Sequence, residues 1–135
     1  MSKLESALTT AQSQIPECIA SGYVDMTTGM LLAVRTVDSH PREVLELVAA
    51  ATADLFQGQN VSAIEKLFRR ARGVQEDNAH YFEEIIVLSS NLLHIFTRGK
   101  KYTEHAIVFV CRKTANIGMA LAKSRLCISS IEASL

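Results

Sequence analysis

The residues of this chain that could do chemistry are scattered. Its four histidines, His40, His80, His94 and His105, have no second histidine and no cysteine at metal-ligand spacing, so no metal site is expected. The three cysteines, Cys18, Cys111 and Cys127, are odd in number, widely spaced and without a Cys-x-x-Cys, which argues against a disulfide framework or a zinc knuckle. They read as buried reduced thiols, and no nucleophile elbow accompanies them to support a cysteine enzyme. The glycines fall into neither G-x-G-x-x-G nor G-x-x-x-x-G-K-[ST], so no dinucleotide fingerprint or P-loop is present. Glu83 and Glu84 are an adjacent carboxylate pair, but neighbours on a strand point to opposite faces and cannot converge as acid and base. Arg98-Gly99-Lys100-Lys101-Tyr102 sets cations beside an aromatic; between two strand-like runs it reads as a hairpin turn before a nucleic-acid contact. The expectation is a chain that is not an enzyme, needs no cofactor or metal and binds no nucleic acid.

The bulk properties agree with an interaction role. The 135 residues, 48% hydrophobic, suffice for one domain with an ordinary core. Lys plus Arg and Asp plus Glu are 14 each, a formal net charge of zero, so nothing pulls the whole chain toward nucleic acid or acidic lipid. A mean hydropathy of +0.15 without tryptophan leaves surplus apolar surface, which a subunit interface hides most readily. No run approaches the roughly 18 apolar residues of a membrane helix, and Met1-Ser2-Lys3-Leu4-Glu5 lacks the order of a signal peptide. Membrane insertion is not expected, and a cytoplasmic location is.

The elements that must carry these residues follow from periodicity. Leu4, Ala7, Leu8, Ala11 and Ile15 predict a helix over about residues 3 to 15, stopped by Pro16. Cys18 to Val24 and Met30 to Val34 predict a hairpin around Asp25-Met26-Thr27-Thr28-Gly29. Asp38-Ser39-His40-Pro41 reads as a helix start and Gly58 as its end. That helix carries two apolar stripes, Val44, Leu47, Val48, Ala51 and Leu55 on one side and Leu45, Ala49, Thr52 and Phe56 about 100° round it. One sheet covers one stripe, so the other calls for a second protein surface.

Residues 59 to 80 read as a helical insert, with Ser62-Ala63-Ile64-Glu65 as a capping box, Gly73 as its close, and Lys66, Arg69 and Arg70 as a local basic patch, either a solvated face or a partner patch for an acidic protein or membrane surface. Three short apolar runs then predict strands at Glu84 to Leu88, Leu92 to Phe96 and Ala106 to Val110. A last helix from about Asn116 places Ile117, Ala120, Leu121, Ser124, Ile128, Ile131 and Leu135 on one face. No internal repeat or linker divides residues 1 to 135, so a single domain is expected.

Three segments carry a family likeness. Gly22-Tyr23-Val24-Asp25-Met26-Thr27-Thr28-Gly29-Met30-Leu31-Leu32-Ala33 resembles the first hairpin of the roadblock/dynein light chain family, and the helix opening at Ser39 resembles its central helix. Ile107-Val108-Phe109-Val110, followed by Asn116-Ile117-Gly118, is similar to its last strand and the opening of its final helix. The resemblance implies an α+β, profilin-like sandwich of order α-β-β-α-β-β-β-α, with a five-stranded antiparallel sheet between helices. It also implies a non-catalytic homodimer or heterodimer joined through the central helix and the strand after it, acting as a scaffold or regulator of small Ras-like GTPases or as a cargo adaptor. Carried over, the dimer surface is Leu45, Ala49, Thr52 and Phe56 with Ile85, Ile86, Val87 and Leu88. The alternative is a small-ligand sensor of profilin-like or PAS-like architecture, with Met26, Met30 and Met119 lining a pocket of a few hundred Å3 between sheet and helix.

Overall fold

The computed structural model of the chain describes residues 2–37, 42–73, 80 and 82–135, of which 42–45 in backbone only. Helix α1 (Lys3–Gln14) leads to the hairpin β1 (Cys18–Asp25) and β2 (Met30–Thr36), followed by α2 (Arg42–Gln57) and α3 (Gln59–Ala71). The meander β3 (Glu84–Leu88), β4 (Leu92–Arg98) and β5 (His105–Arg112) then feeds the final helix, α4 (Ile117–Ala133). The strands form one antiparallel sheet in the order β2-β1-β5-β4-β3, which leaves β2 and β3 at its edges.

Local chemistry sets most boundaries. Ser2 accepts the Glu5 N–H at 3.1 Å and donates its hydroxyl to the Glu5 carboxylate at 3.2 Å, a reciprocal cap that opens α1. The β1–β2 turn uses Gly29 at φ +73°, a left-handed geometry that costs glycine little, and Asp25 Oδ1 accepts the Thr27 N–H at 3.0 Å. Tyr23 pairs with Ala33 and Val24 with Leu31, so Leu32 is an extra residue on β2 and bulges outward. The Asn116 side chain accepts the Met119 N–H at 2.9 Å and starts α4. The expected helix start at Asp38 to Pro41 lies outside the described residues.

Two cores result from the alternation of side chains across the sheet. On one face, α1 and α4 bury Leu8, Ala11, Ile15, Ile128 and Ile131 against Tyr23, Leu93, Ile95, Ile107 and Phe109. On the other, α2 buries Ala49 and Phe56 against Val24, Met26, Phe96, Ala106 and Val108. Ile117 and Leu135, expected on the buried face of α4, are exposed at its two ends, while Cys127 and Glu132 join the buried residues.

Two buried charges tie these layers together. Arg98, at the end of β4, donates from Nε to the Phe82 carbonyl at 3.0 Å, from Nη1 to the Thr103 carbonyl at 2.9 Å and from Nη2 to the Phe56 carbonyl at 3.2 Å. Its guanidinium also lies 5.1 Å from the centroid of the Phe56 ring. Burial pulls its pKa down, opposed by the charges of Glu65 and Glu104. On the opposite side, Glu132 of α4 accepts the backbone N–H groups of Lys100, Lys101 and Tyr102 at 3.2, 2.9 and 2.7 Å, fixing the β4–β5 turn. Gly99 is required there, because a Cβ would collide with the Tyr102 carbonyl and press on the Glu132 carboxylate. Tyr23 is fully buried, its hydroxyl 2.7 Å from His105 Nδ1, and burial pushes the phenol well above its ordinary value, with Glu132 adding to the rise.

Arg98→Met should remove the donors from three carbonyls and cost about 3 kcal/mol, a fall in Tm of roughly 10 °C by calorimetry. Tyr23, with its raised folded-state pKa, contributes stability that is complete below the unfolded phenol's value of about 10 and is lost as pH climbs through the folded value. Urea titrations between neutral pH and pH about 11 should therefore show a steeper loss of stability in wild type than in Tyr23→Phe.

Candidate protein-interaction surface

Periodicity placed two apolar stripes on α2, and the structure decides which one meets its own sheet. Ala49, Thr52 and Phe56 are fully buried there, and the Thr52 hydroxyl donates to the Val48 carbonyl at 2.8 Å. The expectation that Ala49, Thr52 and Phe56 face a second protein is thus corrected, and the Leu45 side chain lies outside the described residues. The physical reason lies at the C-terminal end of the helix, where Arg98 holds the Phe56 carbonyl and covers its ring. Small Ala49 and Thr52 let the helix sit close to the strands. The other stripe is bare: Leu47 is 70% exposed, and Val48, Ala51 and Leu55 are exposed with it.

Beside α2 the described residues leave part of the sheet face uncovered. An apolar trough of about 450 Å3 runs over β2, β1, β5 and β4, lined by Ala20, Val34, Leu92, His94, Val108 and Val110, with Val48 of α2 on its wall. His94 reaches across to the edge strand, its Nδ1 3.1 Å from the Val87 carbonyl. That edge strand, β3, pairs only with β4 among the described residues and offers its other side unpaired. Ile85 packs partly against the α2 core, whereas Ile86, Val87 and Leu88 are exposed. Val87, opposite His94, shares the trough's face, whereas Ile86 and Leu88, opposite Ile95 and Leu93, lie on the α1 and α4 side of the sheet.

The insert departs from its expected form. Helix α3 starts at Gln59 with Gly58 as N-cap and no side-chain cap bond, so Ser62 lies inside the helix and does not cap it. Glu65 is 2% exposed, close to His80 Nδ1 at 3.6 Å, and its charge supports Arg98. Arg69 is likewise buried at 8%, which breaks the expected basic patch and leaves only Lys66 and Arg70 of the three on the surface. The apolar residues Ile64, Leu67 and Phe68 point outward instead.

Among the described residues no three His, Cys, Asp or Glu side chains are placed to hold a metal, and no helix is long and apolar enough to cross a membrane. A cleft of about 570 Å3 beside α4 is lined by Glu84, Thr97, Arg98, Lys100 and Arg125, and Arg125 forms a two-pronged pair with Glu84 at 2.6 and 3.1 Å. The three methionines expected to share a pocket are separated. Met26 is in the α2 core, Met30 is exposed on the edge strand β2, and Met119 is exposed on α4.

In sequence, the chain matches no family model and no curated protein. In structure, it is similar to MglB of Myxococcus xanthus, with a TM-score of 0.69 at 15% identity over 98% of this chain and 97% of that one. It is equally similar to a Roadblock/LC7 domain from Streptomyces avermitilis, with a TM-score of 0.68 at 10% identity over 96% and 94% of the two chains. An MglB solved in a tetrameric arrangement matches with a TM-score of 0.66 at 17% identity over 98% and 90%. The chain therefore has the roadblock/LC7 fold, as the hairpin and the strand-to-helix junction led us to expect.

The two stripes predict opposite behaviour. Phe56→Glu should bury an unpaired charge beneath the sheet and unfold the monomer, a cost of about 4 kcal/mol or more, whereas Leu47→Glu should keep the native far-UV circular dichroism spectrum.

Proposed function

We propose that this chain is a non-catalytic, dimeric interaction module that binds and regulates, or scaffolds, a small Ras-like GTPase. The observation that carries the dimer is the bare Leu47, Val48, Ala51 and Leu55 stripe of α2 beside the apolar trough that Val48 helps to line, with β3 at the edge of the sheet. Exposed apolar surface of this kind is better hidden at a subunit interface than left to water. Two copies join antiparallel along β3, so that two five-stranded sheets become one, and the α2 stripe of each fills the trough of its partner. Ile86, Val87 and Leu88 of the originally expected surface stay in this interface. The bare stripe of α2 replaces Ala49, Thr52 and Phe56.

The fold supports the choice of partner, since the roadblock resemblance read from the hairpin and the last strand implies small GTPases as partners. Solved relatives in fold include an MglB in a tetrameric arrangement, which is in keeping with assembly. A cytoplasmic place suits such a partner.

A second reading, a small-ligand sensor, draws on the trough itself, whose roughly 450 Å3 lies within the usual range for ligand pockets. Sedimentation equilibrium at micromolar concentration separates the two. The wild type should sediment as a dimer and Leu47→Glu as a folded monomer; a wild-type monomer would sink the dimer reading and favour the sensor. Affinity capture with wild type and Leu47→Glu in parallel should then recover a Ras-like GTPase with the wild type, and recovery of none would remove that part of the proposal.

A further inference from the structure

Two of the three thiols are neighbours across the sheet. Cys18 opens β1 and Cys111 lies one residue from the end of β5, and they are Cα partners in the antiparallel ladder. Both side chains turn to the α1 and α4 side, Cys111 inside that core and Cys18 packed against it. The backbone fixes how near they come. The Arg112 N–H donates to the Glu17 carbonyl at 3.0 Å on one side of the Cys18–Cys111 pair, and the register shifts between Cys18 and Ala20 on the other. Alternation along the ladder makes Cys18 and Cys111 the next, non-hydrogen-bonded pair, in which Cα atoms approach to about 4.5 Å and side chains lie closest. A disulfide spans Cα separations of roughly 4.4–6.8 Å. The Cys18 Sγ donates to the Ala20 carbonyl at 3.3 Å.

We propose that Cys18 and Cys111 form a dithiol oxidation site that hydroperoxides convert to an intrachain disulfide. Cys18 is partly exposed and Cys111 fully buried, so the peroxide meets Cys18 first. The Cys18 sulfur attacks the peroxide, the O–O bond breaks, an S–O bond forms, and the alcohol or water leaves as the sulfur gives up two electrons. Cys111 then attacks the sulfenic sulfur. The S–S bond forms, the S–O bond breaks, and the departing oxygen takes the remaining thiol proton and leaves as water.

Pairing with Cys18 holds the Cys111 thiol below its ordinary value, while pairing with Cys111 first and burial second hold Cys18 above it. Exposure, not acidity, makes Cys18 the sulfur that a peroxide reaches. The third thiol is a built-in control: Cys127 Sγ lies 3.5 Å from Gln14 Oε1, between α1 and α4, and burial raises its pKa.

The site is independent of any partner, and so is its test. The purified full chain is treated with hydrogen peroxide, alkylated under denaturing conditions, digested and mapped by mass spectrometry without reduction. The expected result is a peptide pair linked through Cys18 and Cys111, lost on treatment with dithiothreitol, with Cys127 still alkylated. In Cys111→Ser, Cys18 should stop at a sulfenic acid that dimedone traps. Both thiols alkylated after peroxide, sulfinic acid without a link, or a link to Cys127 or between chains would each overturn the proposal.

Discussion

The guanidinium of Arg98 is the constraint on which the rest of this molecule depends. A buried cation must find acceptors and countercharge, and Arg98 finds them by collecting chain segments that are far apart in sequence: the end of α2, the residue Phe82 before β3, and the β4–β5 turn. Its contact with the Phe56 carbonyl places positive charge at the C-terminal end of α2, where the helix dipole favours it. Its stacking over the Phe56 ring orients the helix about its own axis. The charge of Glu65 supports that of Arg98, and with Glu65 and Arg69 buried, α3 presents Ile64, Leu67 and Phe68 outward.

The asymmetry of the two sheet faces follows from the same arrangement. Two helices, α1 and α4, cover the first face, and Glu132 locks α4 to the β4–β5 turn through three backbone amides. Among the described residues, the second face has α2 over only part of its width, which leaves the trough beside it and β3 paired on one side only. Apolar surface of this extent beside an unpaired edge is a liability for a lone chain and an asset for an assembling one.

Much of the architecture was legible because it rests on short-range rules. The Asn116 helix start, the Pro16 stop, the Asp25–Gly29 turn and the three apolar runs of the meander each signal an element without reference to distant residues. The α3 segment was legible only as a helix. Its Ser62–Glu65 spacing has the form of a capping box, but Glu65 is claimed by the interior charges around Arg98, an interaction that no local pattern contains. The same limit broke the basic patch, since Lys66, Arg69 and Arg70 are equivalent in sequence and only contact with the interior separates Arg69 from the other two.

By itself, the sequence determined the kind and order of most elements and the presence of two apolar stripes on α2, and its resemblance to the roadblock family supplied the five-stranded antiparallel sheet between helices. Periodicity encodes the elements and the stripes because each depends on residues within one or two turns or strands of each other. Only the tertiary structure decided which stripe is buried. The two stripes are similar in hydrophobicity, and a helix of this pattern can roll about its axis with little change in local energy. The choice falls to Arg98, 42 residues away from Phe56 along the chain, through a hydrogen bond and a ring contact that exist only once the sheet has formed. The register that sets Cys18 against Cys111 is of the same kind, because strand pairing between the first and last strands is a property of the assembled ladder.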